Sequence, residues 1–549
     1  MKRYVKNIIC VVILVLSIGL MVGYRINQNN TNKPNEINDN MSGNMPEKQN
    51  ESNEKRDGLN EKTEMPSEAR ERPNDERPEM SGEQTSNNTV KDYLIYGSLS
   101  LITSLVLIYL IMSKFNKNKV FINQDKIIIY ILSVLILSVI LTYISNIKIN
   151  KTNQINKPNN SSLEYTANLE IKENKTIESG TYESASADEN AILVSGEIDV
   201  NISNVTINKT GNSDSGDNTS FYGTNSAIIA KDKANLVLKN MTINTNANGS
   251  NGVFSYGGSA STNNTSSDGT TITISDSTIT TTKDNSGGIM TTGGGTMNAN
   301  NLTITTSGIS SAAIRSDRGG GNVNVDGGTY TTNGKGSPSI YSTANIIVKN
   351  AKLVSNASEG IVIEGKNSVS IENVELVDTN NELNGKSTTY KNIFLYQSMS
   401  GDAATGKSSF TSTNSKITTN KGDTFYVTNT DAIITLKNNT IINNGETGNF
   451  LRIQADSWGN TGSNGGNVAL NLNDENISGN IIVDSISSLE MNLESTTYEG
   501  TLNGNDINIT VDKNSSIKLT GDSYIKSIND YSNIDFNGYK LYVNGNSIN

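Results

Sequence analysis

The feature that most limits what this chain can fold into is a short phrase, Asn/Asp-x-Thr-Ile, that returns at intervals of roughly twenty to forty residues. Copies begin at Asn204, Asn240, Asp276, Asn301, Asn350, Asn373, Asn414 and Asn438, and looser ones end at Tyr330, Ile477, Tyr498 and Ile517. A short alternating stretch precedes each copy, such as Asn235-Leu236-Val237-Leu238 or Thr271-Ile272-Thr273-Ile274, and alternation of period two is the mark of a strand. Asn and Gly at the junctions supply corners of positive φ. Long helical periodicity is missing from this region. Short strands, corner turns and a repeat above twenty residues predict an all-β solenoid, a right-handed parallel β-helix over residues 165–549. A propeller wants repeats above forty, and immunoglobulin-like sandwiches want sharper domain boundaries.

The residues before the repeat read differently. Residues 8–24 form an uncharged apolar run behind Lys2, Arg3 and Lys6, without a small-x-small cleavage site after it. Residues 93–113 and 127–145 are longer apolar runs, each sufficient for a transmembrane helix. The loop between them carries Lys114, Lys117, Lys119 and Lys126 against Asp125, so the positive-inside rule places this loop and the N-terminus in the cytoplasm. Residues 25–92 hold five of the seven prolines among dense mixed charge, too few apolar groups to offset chain entropy. The expected organisation is a tip and membrane anchor over 1–24, a disordered extracytoplasmic linker over 25–92 and a membrane hairpin over 93–145. A short linker over 146–164 then leads to an extracellular solenoid.

Composition narrows the chemistry. The 549 residues contain no histidine and one cysteine, Cys10. Histidine relays, HExxH zinc sites, disulfides and cysteine-based metal clusters are therefore excluded. The net charge of −11 argues against a nucleic-acid partner.

Several phrases carry a likeness to known proteins: Phe221-Tyr222-Gly223-Thr224-Asn225, Gly287-Gly288-Ile289-Met290-Thr291-Thr292-Gly293, and Ile314-Arg315-Ser316-Asp317-Arg318-Gly319. Glu364-Gly365-Lys366-Asn367-Ser368 and Phe425-Tyr426-Val427-Thr428 add to it. The run from Asn212 to about Gly545 resembles right-handed β-helix surface proteins of Gram-positive bacteria, described as adhesin-like or carbohydrate-binding. That resemblance implies surface display and a pectin-lyase-like fold, and it leaves the ligand open.

Stacking the coils on Ile228, Val253, Ile289, Ile314, Ile340, Ile361, Ile393, Phe425 and Phe450 sends the next residue of each to the opposite face. That column, ending at Leu451, and the column two residues further on set Phe254, Tyr256, Tyr341, Phe394, Tyr396 and Tyr426 around Arg315, Asp317 and Glu364. Flat rings beside carboxylates and a guanidinium suit sugar rings, which offer apolar faces and hydroxyls. The rings equally suit a covered ladder. Arg315 and Arg318, two of only three arginines after residue 146, either grip a uronate carboxylate or close a coil corner as ion pairs.

Three functions remain open. The first is a membrane-anchored, non-catalytic adhesin or polysaccharide-binding module that needs no cofactor, with a polysaccharide or neighbouring cell surface as partner. The second is a calcium-dependent, pectate-type lyase with Arg315 as base and Asp317 and Glu364 as metal ligands. The third is a ligand-free structural stalk. Repeated Thr-x-Thr, as at Thr271 and Thr273, also suits an ice-binding face, although threonine favours strands anyway.

Overall fold

The computed structural model describes residues 163–213, 216–259, 266–446 and 448–549. The three apolar runs, the basic loop and the proline-rich linker lie outside them. The chain divides into two units, Met1–Ser161 and Ser162–Asn549, and the described residues belong to the second. Among them no helix is long and apolar enough to cross a membrane.

The second unit is a solenoid of short strands stacked in register into one 16-stranded, one 22-stranded and one 4-stranded sheet. Neighbouring strands pair in parallel, and only the last pair, Leu541–Val543 with Asn546–Ser547, runs antiparallel. One coil shows the plan. Ile228–Lys231 lies on the first face, Asn235–Lys239 on the second and Thr242–Thr245 on the third. The next coil lays Val253–Tyr256, Thr271–Ser275 and Thr278–Thr281 directly on them. The second and third faces form a single sheet because Gly295–Thr306 and Gly321–Thr332 run unbroken through the corner between them.

The repeated phrase is that corner plus the first inward residue of the third face. Asn204, Asn240, Asp276, Asn301, Asn350, Asn373, Asn414 and Asn438 all have φ between 50° and 55°, and Gly327 takes the same place with φ 76°. Most L-residues lose roughly 1–2 kcal/mol in this conformation, and Asn and Asp are the side chains that tolerate it. The amides also bond along the stack, Asn240 Nδ2 to Asn204 Oδ1 at 3.1 Å and Asn438 Nδ2 to Asn414 Oδ1 at 2.8 Å. Ile207, Ile243, Ile279, Ile304, Tyr330, Leu353, Leu376 and Ile417 then follow one another inward in register. They join the aliphatic residues of the other faces in one continuous buried core.

The corner from the third face back to the first uses a different device. Ser184, Lys209, Thr245, Thr281, Thr306, Thr332, Ser355, Asp378 and Thr419 stack in register at the inner end of the third face. Most of these side chains donate to the connecting segment, as Thr245 does to the Ser250 carbonyl at 3.1 Å and Ser355 to that of Ser358 at 2.9 Å. Lys209 puts its ammonium in the same place, 3.0 Å from the Ser186 carbonyl and 2.6 Å from that of Gly211.

On the first face the inward column runs Ile228, Val253, Ile289, Ile314, Ile340, Ile361, Ile393 and Phe425, as the alternation predicts. It ends differently. Phe425 pairs with Leu451 and Tyr426 with Arg452, because the strand Asn449–Ile453 carries an irregularity between Asn449 and Leu451. The extra residue is Phe450, buried edge-to-face on Phe425 at 5.4 Å. A bulge adds one residue to one strand and shifts everything after it, so Arg452 replaces Leu451 in the outward column.

Candidate functional site

Most connections leaving the first face are short, as from Thr292 to Gly295 or Ser342 to Asn345. Three are long: residues 257–270, 397–407 and 454–465. Two further long segments lead into the same face, residues 210–227, which include the helix Gly216–Tyr222, and residues 379–390. Side chains of 210–227, 379–390, 397–407 and 454–465 stand over the outer side of this sheet.

The outward columns are therefore largely covered. Phe254 is fully buried with Leu193, Ile229 and Met290, and Tyr256 packs against that group with its ring edge-on to Tyr222 at 5.7 Å. Tyr426 is fully buried and Phe394 nearly so. Of the arrangements left open by the sequence, the covered one holds for Phe254, Phe394 and Tyr426: they point away from the main core and lie beneath inserted segments. Both clusters are separate from the core that fills the coils.

Between the two clusters lies a polar network. The Arg315 guanidinium reaches Asp317 Oδ2 at 2.9 Å and the Ser310 carbonyl at 3.3 Å. Burial pushes the Asp317 carboxyl up to about 6, although Arg315 pulls the other way. Arg318 Nε donates to Asp402 Oδ1 at 2.9 Å, and its guanidinium lies 4.0 Å over the Phe221 ring. Arg318 thereby ties the helix Gly216–Tyr222, from several coils before it, to the segment 397–407, from several coils after. Such a stacked, paired guanidinium is one that lysine does not reproduce. The glycines behind it are required by crowding: Gly319 has φ 80°, and a Cβ there would stand 2.0 Å from the Ser259 carbonyl oxygen.

Glu364 is the network's other centre. It accepts from Tyr341 Oη at 2.5 Å, from Tyr396 Oη at 3.1 Å and from the Ser398 hydroxyl. Ser400 extends the chain to Asp402 Oδ2 at 2.8 Å. Burial, with the nearby carboxylate adding to it, raises both tyrosines well above their ordinary range, so they remain neutral donors.

The third patch is aromatic. Phe394 and Tyr396 stack at 4.4 Å, and Trp458 stands 5.2 Å from Phe394 and 5.4 Å from Tyr396. The buried Lys391 ammonium lies 4.4 Å from the Phe394 ring, 4.7 Å from Tyr426 and 5.7 Å from Trp458, and burial lowers its pKa. Tyr426 Oη donates to Asp456 Oδ2 at 2.6 Å, and Thr388 also bonds Asp456, joining segment 379–390 to segment 454–465.

The structure thus brings together Arg315, Asp317, Arg318, Tyr341, Glu364 and Tyr396, sets Phe394 and Tyr426 beside them, and leaves Phe254 and Tyr256 in a separate cluster. Sequence reasoning missed Phe221, Lys391, Ser398, Ser400, Asp402, Asp456 and Trp458. Trp458 could have been found, as the chain's one tryptophan set in a glycine- and asparagine-rich stretch inside an over-long repeat. Arg315, Arg318 and Arg452 are each paired with an aspartate, the last with Asp423. A lyase base needs a guanidinium not already committed to a carboxylate. Nor do Asp317 and Glu364 converge on a calcium position, since one turns to Arg315 and the other to tyrosine and serine hydroxyls. Among the described residues no three His, Cys, Asp or Glu side chains gather as metal ligands.

Compared with protein-family models, curated proteins and solved structures, the chain matches none. By its strand order it is a parallel-strand solenoid decorated on one face.

Proposed function

We propose that this is a membrane-anchored cell-surface protein whose right-handed parallel β-helix binds a polysaccharide, or a neighbouring surface bearing one, without chemistry. The observation that carries the reading is the convergence of four long insertions on the outer side of one sheet. Repeat proteins commonly build binding surfaces from insertions that map to one face. On that face the half-buried Trp458, Tyr396 and Tyr341 adjoin the Glu364–Ser400–Asp402 chain and Arg318, a mixture of flat apolar rings and hydrogen-bonding groups that suits sugars. Right-handedness follows the strong preference of parallel crossover connections. The anchor rests on the uncharged runs 8–24, 93–113 and 127–145, and the extracellular placement on the basic clusters beside them. Pairing of all three arginines after residue 146 favours binding over lyase chemistry.

The test is retention of the full chain, in detergent, on a panel of immobilised polysaccharides, with polygalacturonate incubated in parallel with and without calcium. Retention by at least one polysaccharide, with no near-ultraviolet absorbance from unsaturated uronate, is expected. Sustained product would replace this reading by the lyase, and a panel without retention would favour the structural stalk.

A further inference from the structure

The inner corner between the third and first faces contains one coil that breaks its own rule. In the neighbouring coils the stacked position carries a donor: Thr332 and Ser355 before it, Thr419 after it. Asp378 occupies that position as a fully buried carboxylate. Its Oδ2 accepts the Asn380 N–H at 3.3 Å, and its Oδ1 has no hydrogen-bond partner.

Two amide oxygens share this condition. Asn380 Nδ2 donates to the Lys391 carbonyl at 2.9 Å, and Asn392 Nδ2 donates to Thr419 Oγ1 at 3.0 Å, the residue stacked directly on Asp378. Both Oδ1 atoms are buried and unpartnered. Reversing either amide would not help, because its oxygen would then face the Lys391 carbonyl or the carbonyl of Thr418, which lies 3.3 Å from Asn392 Nδ2. The fourth position near this corner is Glu359, also buried, and its charge acts on Asp378. Gly360 beside it is needed: a Cβ there would stand 2.3 Å from Asn392 Oδ1. Around this corner one carboxylate oxygen and two amide oxygens stand without donors, where neighbouring coils place a hydroxyl.

We propose that Asp378, Asn380 and Asn392 bind a hard divalent cation of the calcium type, beside the buried Glu359 and Lys391 charges. Carboxylate and amide oxygens are the ligands such ions take, and no nitrogen or sulfur ligand stands among the three. Lys209 supports the logic from the other end of the same stack, because there the protein's own ammonium supplies the positive charge. This site lies at the inner corner, apart from the outer network of Arg315 and Glu364, and it stands whether or not that face binds sugar.

The test is thermal unfolding of the full chain after EDTA treatment, with and without added calcium chloride, together with calcium content by elemental analysis. The wild type should unfold several degrees higher with calcium and retain about one equivalent. Asp378→Thr, which restores the donor found in neighbouring coils, should fold, lose that equivalent and lose the shift. An unfolding temperature indifferent to calcium would overturn the proposal and leave a buried water or a protonated Asp378 as the corner's solution. A calcium shift that persists in Asp378→Thr would also overturn it.

Discussion

At the scale of single residues, buried charge in this solenoid is managed by pairing, and the exceptions are where pH acts. Glu475 is the clearest. It is buried at the corner between the second and third faces, where its Oε1 accepts from the Asn439 N–H at 3.0 Å and the Asn439 amide at 2.7 Å. Desolvation raises its carboxyl to about 7, with the neighbouring Asp474 charge adding to the effect. A carboxyl raised in the folded state contributes stability that is fully present below its unfolded value and is lost as pH rises through the folded one. The wild type should therefore lose stability between about pH 5 and pH 8. Glu475→Gln keeps an acceptor for Asn439 without the charge, so it should flatten this slope and gain on the order of 1 kcal/mol at pH 8. A chemical-denaturation series across that pH range checks it; an unchanged slope would show that Glu475 is not the group responsible. Tyr341 behaves as a buried hydrogen-bond donor. Tyr341→Phe leaves Glu364 short of one donor and should cost about 1–3 kcal/mol, while Ile340→Ala, one residue away in the core, should cost about 2–5 kcal/mol through its cavity.

At the scale of elements, the corner phrase makes its own prediction. Asn373 holds φ 54° and bonds Asn350 Oδ1 at 3.2 Å. Asn373→Ala should lose about 1–2 kcal/mol, and Asn373→Gly should lose less, because glycine takes the left-handed region freely. Equal losses would assign the effect to the amide ladder instead. This regularity explains why so much of the fold could be read from sequence. Each coil repeats one corner residue and one inward apolar residue, so alternation and spacing located Ile228 to Phe425 and Ile207 to Ile417 without a structure. The bulge escaped because Phe450 and Leu451 are adjacent and apolar, and either fits an inward position. Cover over Phe254 and Tyr426 was one of the open readings, and the segments that supply it were not legible. The insertions 210–227, over Phe254, and 379–390 and 454–465, beside Tyr426, carry no repeat, so nothing in their sequence reports which face they fold across. The aromatic columns were legible as columns, and their burial was not.

At the scale of the whole molecule, the uncharged runs and basic clusters predict a topology independent of the solenoid's own stability. Protease added to intact, wall-stripped cells should remove the residues after 146, and protection of that region would reverse the orientation. Within the solenoid each coil rests on its neighbours, so local changes should stay local unless they cut a long-range tie. Arg318 is such a tie, through Phe221 and Asp402. Arg318→Ala should raise amide hydrogen exchange in segments 216–222 and 397–407 together, with the corner strands unchanged. We propose the decorated outer face of the first sheet as the binding surface. The most direct measurement is affinity for a polysaccharide retained by the wild type, compared across the full chain, Trp458→Ala and Thr303→Ala, which lies exposed on the third face. Trp458→Ala should bind at least roughly tenfold more weakly, as expected for a central aromatic, and Thr303→Ala should bind as the wild type does. Equal binding by Trp458→Ala, or a loss confined to Thr303→Ala, would contradict it.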